Sequence, residues 1–466
     1  MRRVLVLAAT TGYQTRSFGE AAERLGVELV FATDRCHLID DPWQDQAIPI
    51  RFHDEDASVA AILEAAKVRR IDGVLAVGDR PTVIAARVAQ AFGLPGHPPE
   101  AAAVARHKQR TREHLRDAGL PGPWFFPVAI PPLLGASPPS YGGPVRRATG
   151  ASAGSPQPLS YPCVVKPVAL SGSRGVMRAD DPASFAIVFE RLRALLRSPE
   201  VRAERNEAHE MALVEGFIPG REYAVEALLH HGELHVLAIF DKPDPLDGPF
   251  FEETIYVTPS SAPADIQDRI VQAVTSAAKA IGLHHGPVHA ECRVNPSKGS
   301  GQVENVFVLE VAARPIGGLC ARALRFQSAI TNQSAISNQQ SAISLEELLL
   351  RHALGEAPGD WRRESDPSGV MMIPIPRPGI LRRVDGVDAA REVPGIDDIR
   401  ITAKPDQRLV PLPEGASYLG FIFARAPRVA AVEQALGAAH ARLTFVIEPE
   451  FPVLTAAQMH YNLQHG

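Results

Sequence analysis

The 466-residue chain is 45% hydrophobic and 22% charged, with a formal net charge of −5 at pH 7. That length exceeds what one hydrophobic core supports and predicts about two to four structural units. The charge balance offers no basic field for nucleic acid, no window approaches the length of a membrane-spanning helix, and Cys36, Cys163, Cys292 and Cys320 match neither a disulfide framework nor a zinc spacing, so a soluble cytoplasmic protein is expected.

In chain order, "RRVLVLAATTG" reads as a strand and loop, "SFGEAAERLG" as a short amphipathic helix, "VELVFATD" as a second strand, "SVAAILEAAKVRR" as a helix and "DGVLAVGD" as a third strand. Such alternation predicts a Rossmann-like parallel sheet with helices on both faces. Ligands of these sheets sit beyond the carboxyl ends of the strands, which places Thr10 to Gly12, Thr33 to Asp34 and Gly78 to Arg80 there by location alone. Residues 131–158 are rich in Pro, Gly, Ser and Ala without apolar period and read as a linker loop.

From Tyr161 the strands "YPCVVKPV", "MALVEGFI", "EYAVEALL", "LHVLAIF", "VHAECRV" and "VFVLEVAAR" follow with helices at 182–197 and 266–281, a pattern that favours antiparallel sheets. Residues 327–344 repeat Ser-Ala-Ile three times among Asn and Gln and read as a polar insert. Ser344 with Glu347 forms a capping box ahead of "LEELLLRHALG", and a small β-rich unit closes the chain. The expected division is 1–98 Rossmann-like, 99–160 connecting helices and linker, 161–230 small lid, 231–364 large subdomain, and 365–466 C-terminal β-rich subdomain.

Chemistry concentrates at a few places. Lys166 leaves an apolar strand into Ser171, Gly172, Ser173 and Gly175, a loop able to present N–H groups to an anion; strand-following turns share this composition. Strand alternation puts Val306, Val308, Glu310, Ala312 and Arg314 on one face, and His289, Glu291 and Arg293 on one face of the preceding strand. Two glutamates on separate strands suit Mg²⁺; a Glu310–Arg314 salt bridge is the structural alternative. Glu215 and Glu222 flank a Pro-Gly turn, where adenine could lie against Phe217 and Ile218, or where a plain hairpin could keep both acids solvated. His284, His285 and His289 invite a zinc reading, but Gly286 and Pro287 interrupt any helix, and a polar wall is preferred. No Gly-x-Gly-x-x-Gly marks a nicotinamide site.

The ordered set "HKQRTREHLRDAGLP", "CVVKP", "SGSRGV", "VEGFIPGREYAVE", "HAECRV" and "LEVAARPIGG" resembles the ATP-grasp superfamily, in particular its carboxylate–amine ligases. The resemblance implies that Lys108 and Lys166 hold ATP phosphates under the loop 171–175, that Glu215 meets adenine, the backbone at Phe217 and Ile218 the base edge, and Glu222 the ribose. Glu291 and Glu310 would bind Mg²⁺ or Mn²⁺. Arg314 would face the substrate carboxylate, Glu253 the substrate amine, and His289 is a third candidate catalytic side chain. Such a ligase joins a small carboxylate to an amine through an acyl phosphate, with ADP and phosphate released, and could be a homodimer. Bicarbonate-dependent carboxylation, carbamoyl transfer and non-catalytic nucleotide binding remain alternatives. Two positions depart from the family pattern: Ala312 replaces an asparagine and Tyr256 a histidine.

Overall fold

A computed structural model describes residues 1–9, 12–34, 47–131, 159–295, 305–328, 342–359 and 361–450. Most of the two expected loops, 131–158 and 327–344, and Thr10 and Thr11 among the candidate ligand residues, lie outside the described residues.

The expected parallel sheet is present, ordered Ile48–Ile50, Glu28–Asp34, Arg3–Ala8, Gly73–Val77. After Arg3, strand Arg3–Ala8 is apolar at every position because both faces are covered: Val4, Val6 and Ala8 enter one core while Leu5 and Leu7 enter another. The short strand Ile48–Ile50 was not anticipated; three residues carry too little period to be read.

The small lid is a four-stranded antiparallel sheet in the order Phe125–Ala129, Met211–Gly216, Cys163–Pro167, Met177–Ala179. Helix Pro182–Leu196 packs Phe185, Val188, Phe189 and Leu192 on it and starts in a capping box at Asp181. Residues 125–129, expected among connecting helices and linker, form a strand that pairs with Met211–Gly216 in this sheet. Strand Arg221–His230, expected in the lid, pairs instead with Glu233–Asp241 and Gly286–Val294 of the large sheet. The chain leaves the lid at 217–220, where Gly220 has φ +117° and an added Cβ would lie 2.0 Å from the Val294 carbonyl oxygen.

The large sheet has eight antiparallel strands, in the order Val306–Ala312, Gly286–Val294, Arg221–His230, Glu233–Asp241, Ile255–Thr258, Ser368–Ile373, Gly420–Arg425, Ile396–Ile401. Three strands of the C-terminal unit thus extend this sheet rather than standing apart, and Val370, Met372, Phe421 and Phe423 share a core with Val4 and Val6. A three-stranded sheet of Arg408–Leu409, Gly379–Asp385 and Thr444–Glu448 remains separate. Helix Ala264–Ile281 closes one face of the large sheet through Ile266, Ile270, Val274 and Ala277. The opposite face carries the charged residues. The capping box at Ser344 forms as expected: its hydroxyl accepts from the Glu347 N–H at 3.2 Å and the Glu347 carboxylate from the Ser344 N–H at 2.8 Å. Among the described residues no helix is long and apolar enough to cross a membrane.

Candidate active site

Register builds the site. Strands 221–230, 286–294 and 306–312 place Glu222 beside Arg293, Ala224 beside Glu291 and Glu310, and Glu226 beside His289 and Ala312. Because successive side chains alternate, these all point to one face while Tyr223, Val225, Ala290 and Cys292 enter the core beneath helix 264–281. Strict alternation fails in one place. A bulge at Leu309 leaves it unpaired, with Glu310 opposite Glu291 and Val308 opposite Cys292. Val306 and Val308 are therefore in the core, on the face opposite Glu310, and Leu309 lines the cavity with Glu310, contrary to the expected alternation.

Above this floor lies a cavity of about 600 Å³, a size ordinary for a nucleotide or cofactor site. It is lined by Lys108, Lys166, Ser171, Gly172, Ser173, Glu215, Phe217, Ile218, Glu222, Glu253, His289, Glu291, Glu310 and Arg314. Of the residues named for nucleotide, metal or substrate, all but Gly175 line it, whereas Thr33, Asp34, His284 and His285 do not, so of the three histidines considered for a polar wall only His289 reaches it. That glycine is tucked below, its N–H donating to Pro413 O at 2.8 Å and its Cα facing Leu192 and Leu195. In the loop itself Gly172 and Ser173 adopt φ of +63° and +53°, and an added Cβ at Gly172 would meet nothing within 4 Å, so the backbone there is open to an approaching group.

One half of the cavity is acid-rich. Lys242, buried, donates to Glu222 at 2.7 Å and Glu253 at 3.0 Å and lies 3.2 Å from Glu291. Burial would lower its pKa, but Glu222, Glu253 and Glu291 together raise it well above the ordinary lysine value. Burial, then the neighbouring Glu291, pushes Glu253 up to about 7, and the Tyr256 hydroxyl donates to it at 2.8 Å. Burial works against the charge of Glu291 too, yet Lys242 and then His289 hold that acid well below the carboxylate range. Glu222 also accepts from Arg293 Nε at 2.8 Å, and Arg293 extends to the Ile218 carbonyl at 2.8 Å.

The other half is cation-rich. Glu215 accepts from Arg112 Nε at 2.8 Å and Lys166 Nζ at 2.5 Å. Burial would raise Glu215, but Arg112 and then Lys166 pull it down to about 2, while desolvation pushes Lys166 down to about 8. Lys108 donates to Leu170 O at 2.7 Å and lies 3.3 Å from Glu310. Phe217 is covered by the Arg178 guanidinium at 4.3 Å and faces Phe251, ring centroids 6.4 Å apart.

The wall toward the N-terminal sheet is a fork: Arg314 reaches Asp79 with Nε at 2.9 Å and Nη2 at 3.1 Å. The alternative Glu310–Arg314 pair is not formed; Glu310 takes Lys108 instead. His289 Nδ1 sits 3.2 Å from Glu226 and Nε2 3.6 Å from Glu291. Burial opposes its charge, but these two acids raise it to about 9. Glu226 in turn accepts from the Ile316 N–H.

One expectation changes. Glu215 and Glu222 are not the solvated acids of a plain hairpin: each is buried, binds two cations and lines the cavity. The sequence reading missed Arg112, Glu226 and Lys242. The last had a signal: "FDKPD" repeats the strand-Lys-Pro pattern of "VVKPV".

A magnesium nucleotide fits this donor set. Glu291 and Glu310 offer hard oxygens side by side on paired strands, Lys108 stands beside Glu310 at the start of helix Lys108–Asp117, Lys166 lines the same cavity from its strand, and the backbone at Gly172 on the cavity wall is open to an approaching group. The ammonium of Lys242 already occupies the group Glu222, Glu253 and Glu291, which is the set with cation-holding spacing among the described carboxylates of the cavity.

Three family descriptions match the chain: an ATP-grasp domain over residues 159–323, an ATP-grasp N-terminal domain over 19–96 and an L-amino acid ligase C-terminal domain 2 over 371–448. Protein y4rH of Sinorhizobium fredii is 24% identical over 96% of this chain and 84% of its own length. Carnosine synthase 1 of Gallus gallus is 32% identical over 63% of this chain, which spans about a third, 31%, of that longer protein. The crystal structure of L-amino acid ligase from Bacillus licheniformis superposes with a TM-score of 0.75 at 25% identity, covering 96% of this chain and 99% of that one.

Proposed function

We propose that this chain, which belongs to the ATP-grasp superfamily and has ligases among its relatives, is an ATP-dependent carboxylate–amine ligase for amino acids or similar small acids. The observation that carries the reading is convergence: Lys108, Lys166, Glu291, Glu310 and Arg314, scattered along the sequence from position 108 to position 314, line one cavity. The matched L-amino acid ligase C-terminal domain, whose strands complete the large sheet, narrows the superfamily toward this class.

In this reading Lys108, Lys166 and the loop 171–175 hold the triphosphate, Phe217, Ile218 and Phe251 border the base, and Glu291 and Glu310 hold Mg²⁺. The metal supplies charge neutralisation between phosphoryl oxygens. Phosphoryl transfer demands positioning and electrostatics more than covalent help, and a pre-formed ionic floor provides both without reorganising. Arg314, fixed by the Asp79 fork, presents its remaining edge to the substrate carboxylate. Attack of a carboxylate oxygen on the γ-phosphorus breaks the bond to the β–γ bridging oxygen, giving an acyl phosphate and ADP, and an amine then attacks the acyl carbon and expels phosphate, losing one proton. Glu253, poised near neutrality, is the group suited to take the proton of the incoming ammonium. Glu215 anchors Lys166, and Glu226 orients His289 toward Glu291.

The test is a phosphate-release screen over pairs of amino acids and small acids with ATP, with hydroxylamine present to trap activated acyl groups. Release that requires an amino acid, with hydroxamate formed from one acid, supports the reading. Release that follows bicarbonate instead, or tight Mg·ATP binding without release across the panel, overturns it.

A further inference from the structure

At the far end of the strands that carry Glu222 and Glu291, away from the cavity, histidines gather from three parts of the chain. His230 ends strand 221–230, His285 directly precedes strand 286–294, and His352 lies in helix Leu345–Ala353. Antiparallel register explains the first pairing, since Leu229 faces Gly286. One nitrogen from each of the three imidazoles lies within 4.8 Å of the others. The rings of His285 and His352 stack at 4.2 Å and 13°, and His230 Nδ1 stands 3.3 Å from His352 Nε2.

The chemistry of this corner is unfinished. His285 is 3% exposed, and both of its ring nitrogens are buried without a hydrogen-bond partner. A buried imidazole with neither nitrogen satisfied is costly, because its desolvation is not offset by any hydrogen bond. His235, whose ring lies 6.3 Å from that of His230, has a buried Nε2 without a hydrogen bond, 4.0 Å from the Glu233 carboxylate. Beside His285 and His352 is a small cavity of about 50 Å³, otherwise lined mainly by Ala, Leu, Val and Pro. Nothing anionic is among those lining residues. An N–H···N bond between His230 and His352 would satisfy that pair alone and leave His285 unexplained.

We propose that His230, His285 and His352 form a binding site for a divalent transition-metal ion, with zinc the ion it suits best. Three imidazole nitrogens without carboxylates favour borderline-soft ions over Mg²⁺. Two nitrogens bound to one tetrahedral zinc at about 2.05 Å stand about 3.3 Å apart, the spacing of the His230–His352 pair. His285 has a nitrogen within 4.8 Å of the other two and would turn out of its stack on His352 to enter the same sphere, with a fourth position left for water. Half-exposed His230 gives the ion its entry. The bound ion would tie two strands of the cavity floor to the helix whose Ala353 packs on Gly73 of the N-terminal sheet, where an added Cβ would lie 2.5 Å from the Ala353 carbonyl oxygen. Its role is a structural clamp between the large sheet and the N-terminal sheet, independent of the nucleotide site.

The experiment uses full-length, untagged protein stripped with EDTA and titrated with ZnCl2 by calorimetry, with Co²⁺ absorption and Cu²⁺ electron paramagnetic resonance as ligand-sensitive probes. One equivalent of zinc, a rise in Tm on binding, and nitrogen hyperfine structure on Cu²⁺ are expected. His285→Phe and His352→Phe lose that equivalent, while Glu291→Gln keeps it. Wild-type protein that takes up no zinc, oxygen-only ligation of Cu²⁺, or loss of zinc in Glu291→Gln with retention in His285→Phe overturns the proposal. The wild-type spectroscopy decides the question even if a histidine variant fails to fold.

Discussion

Lys166 and Lys242 leave their strands in the same way, each buried and each followed by proline, yet their surroundings are opposite. Lys166 shares the single carboxylate of Glu215 with Arg112, leaving an excess of positive charge beside Lys108. Lys242 is enclosed by Glu222, Glu253 and Glu291, leaving an excess of negative charge even with Arg293 alongside. The comparison teaches that one local motif serves two ends. At the lid the lysine is loosely balanced and available to an anion; on the floor it is a fixed cross-link whose removal exposes three acids to one another.

The largest expected effect follows from that asymmetry. Lys242→Met strands three buried carboxylates, and unfolding by urea should show a loss of about 3–5 kcal/mol, the usual consequence of removing one side of a buried ionic group. Lys166→Met leaves Glu215 still forked to Arg112 and should cost far less stability, while lowering kcat/KM for ATP by roughly 10²-fold. Equal stability losses in the two variants would break the distinction.

Next in size is Glu310→Gln. Glu310 is 27% exposed at its side chain and has Lys108 as its ion-pair partner, so the fold tolerates the change. Turnover should fall by about 10²-fold or more, as when one electrostatic stabiliser of a transition state is removed. Wild-type turnover in this variant would withdraw Glu310 from the metal set. Arg314→Lys is smaller, at about tenfold in kcat/KM: the charge stays, but a point ammonium cannot both fork to Asp79 and present a second edge to a carboxylate. Asp79→Asn tests the same clamp from its partner, and an unchanged rate in both variants would leave the fork without a catalytic purpose.

How much of this was legible in the sequence depends on how local the cause was. The strands, the helix caps and the alternating face His289, Glu291, Arg293 are short-range patterns and could be read directly. Sheet membership could not: strand 221–230 and strand 211–216 have the same apolar character, and which sheet each joins is decided by partners far along the chain. The bulge at Leu309 changes the face of Val306 and Val308 without any glycine or proline to announce it. Arg112 was hidden among the charges of "KQRTREH", where exposure is the ordinary expectation, and Glu226 inside an apolar run whose polar face showed only once strands 221–230 and 286–294 were set in register. The histidine corner shows the same limit. His285 was visible, but its partners come 55 residues before it and 67 after, at positions 230 and 352.

The smallest effect sharpens the comparison of the two lysines through pH. Lys166 is pushed down to about 8 by desolvation, whereas Lys242 is held well above the ordinary value, so alkali should discharge the first and spare the second. The pH profile of kcat/KM for ATP reports groups of the free enzyme, and it should fall by about half at pH 8 and roughly tenfold by pH 9. Stability should not fall with it on account of this residue. A lysine whose folded pKa lies below its unfolded value of 10.5 binds fewer protons folded than unfolded across the window from about 8 to 10.5, so its contribution to stability rises there with pH. Activity and stability therefore move in opposite senses above pH 8, which separates loss of a phosphate-binding charge from unfolding. Lys166→Arg keeps a charge that does not titrate in this range and should carry the plateau past pH 9, at whatever lower rate its altered geometry imposes. An unchanged alkaline limb in that variant would assign the titration to another group and remove the electrostatic ground for treating the lid lysine as the looser of the two.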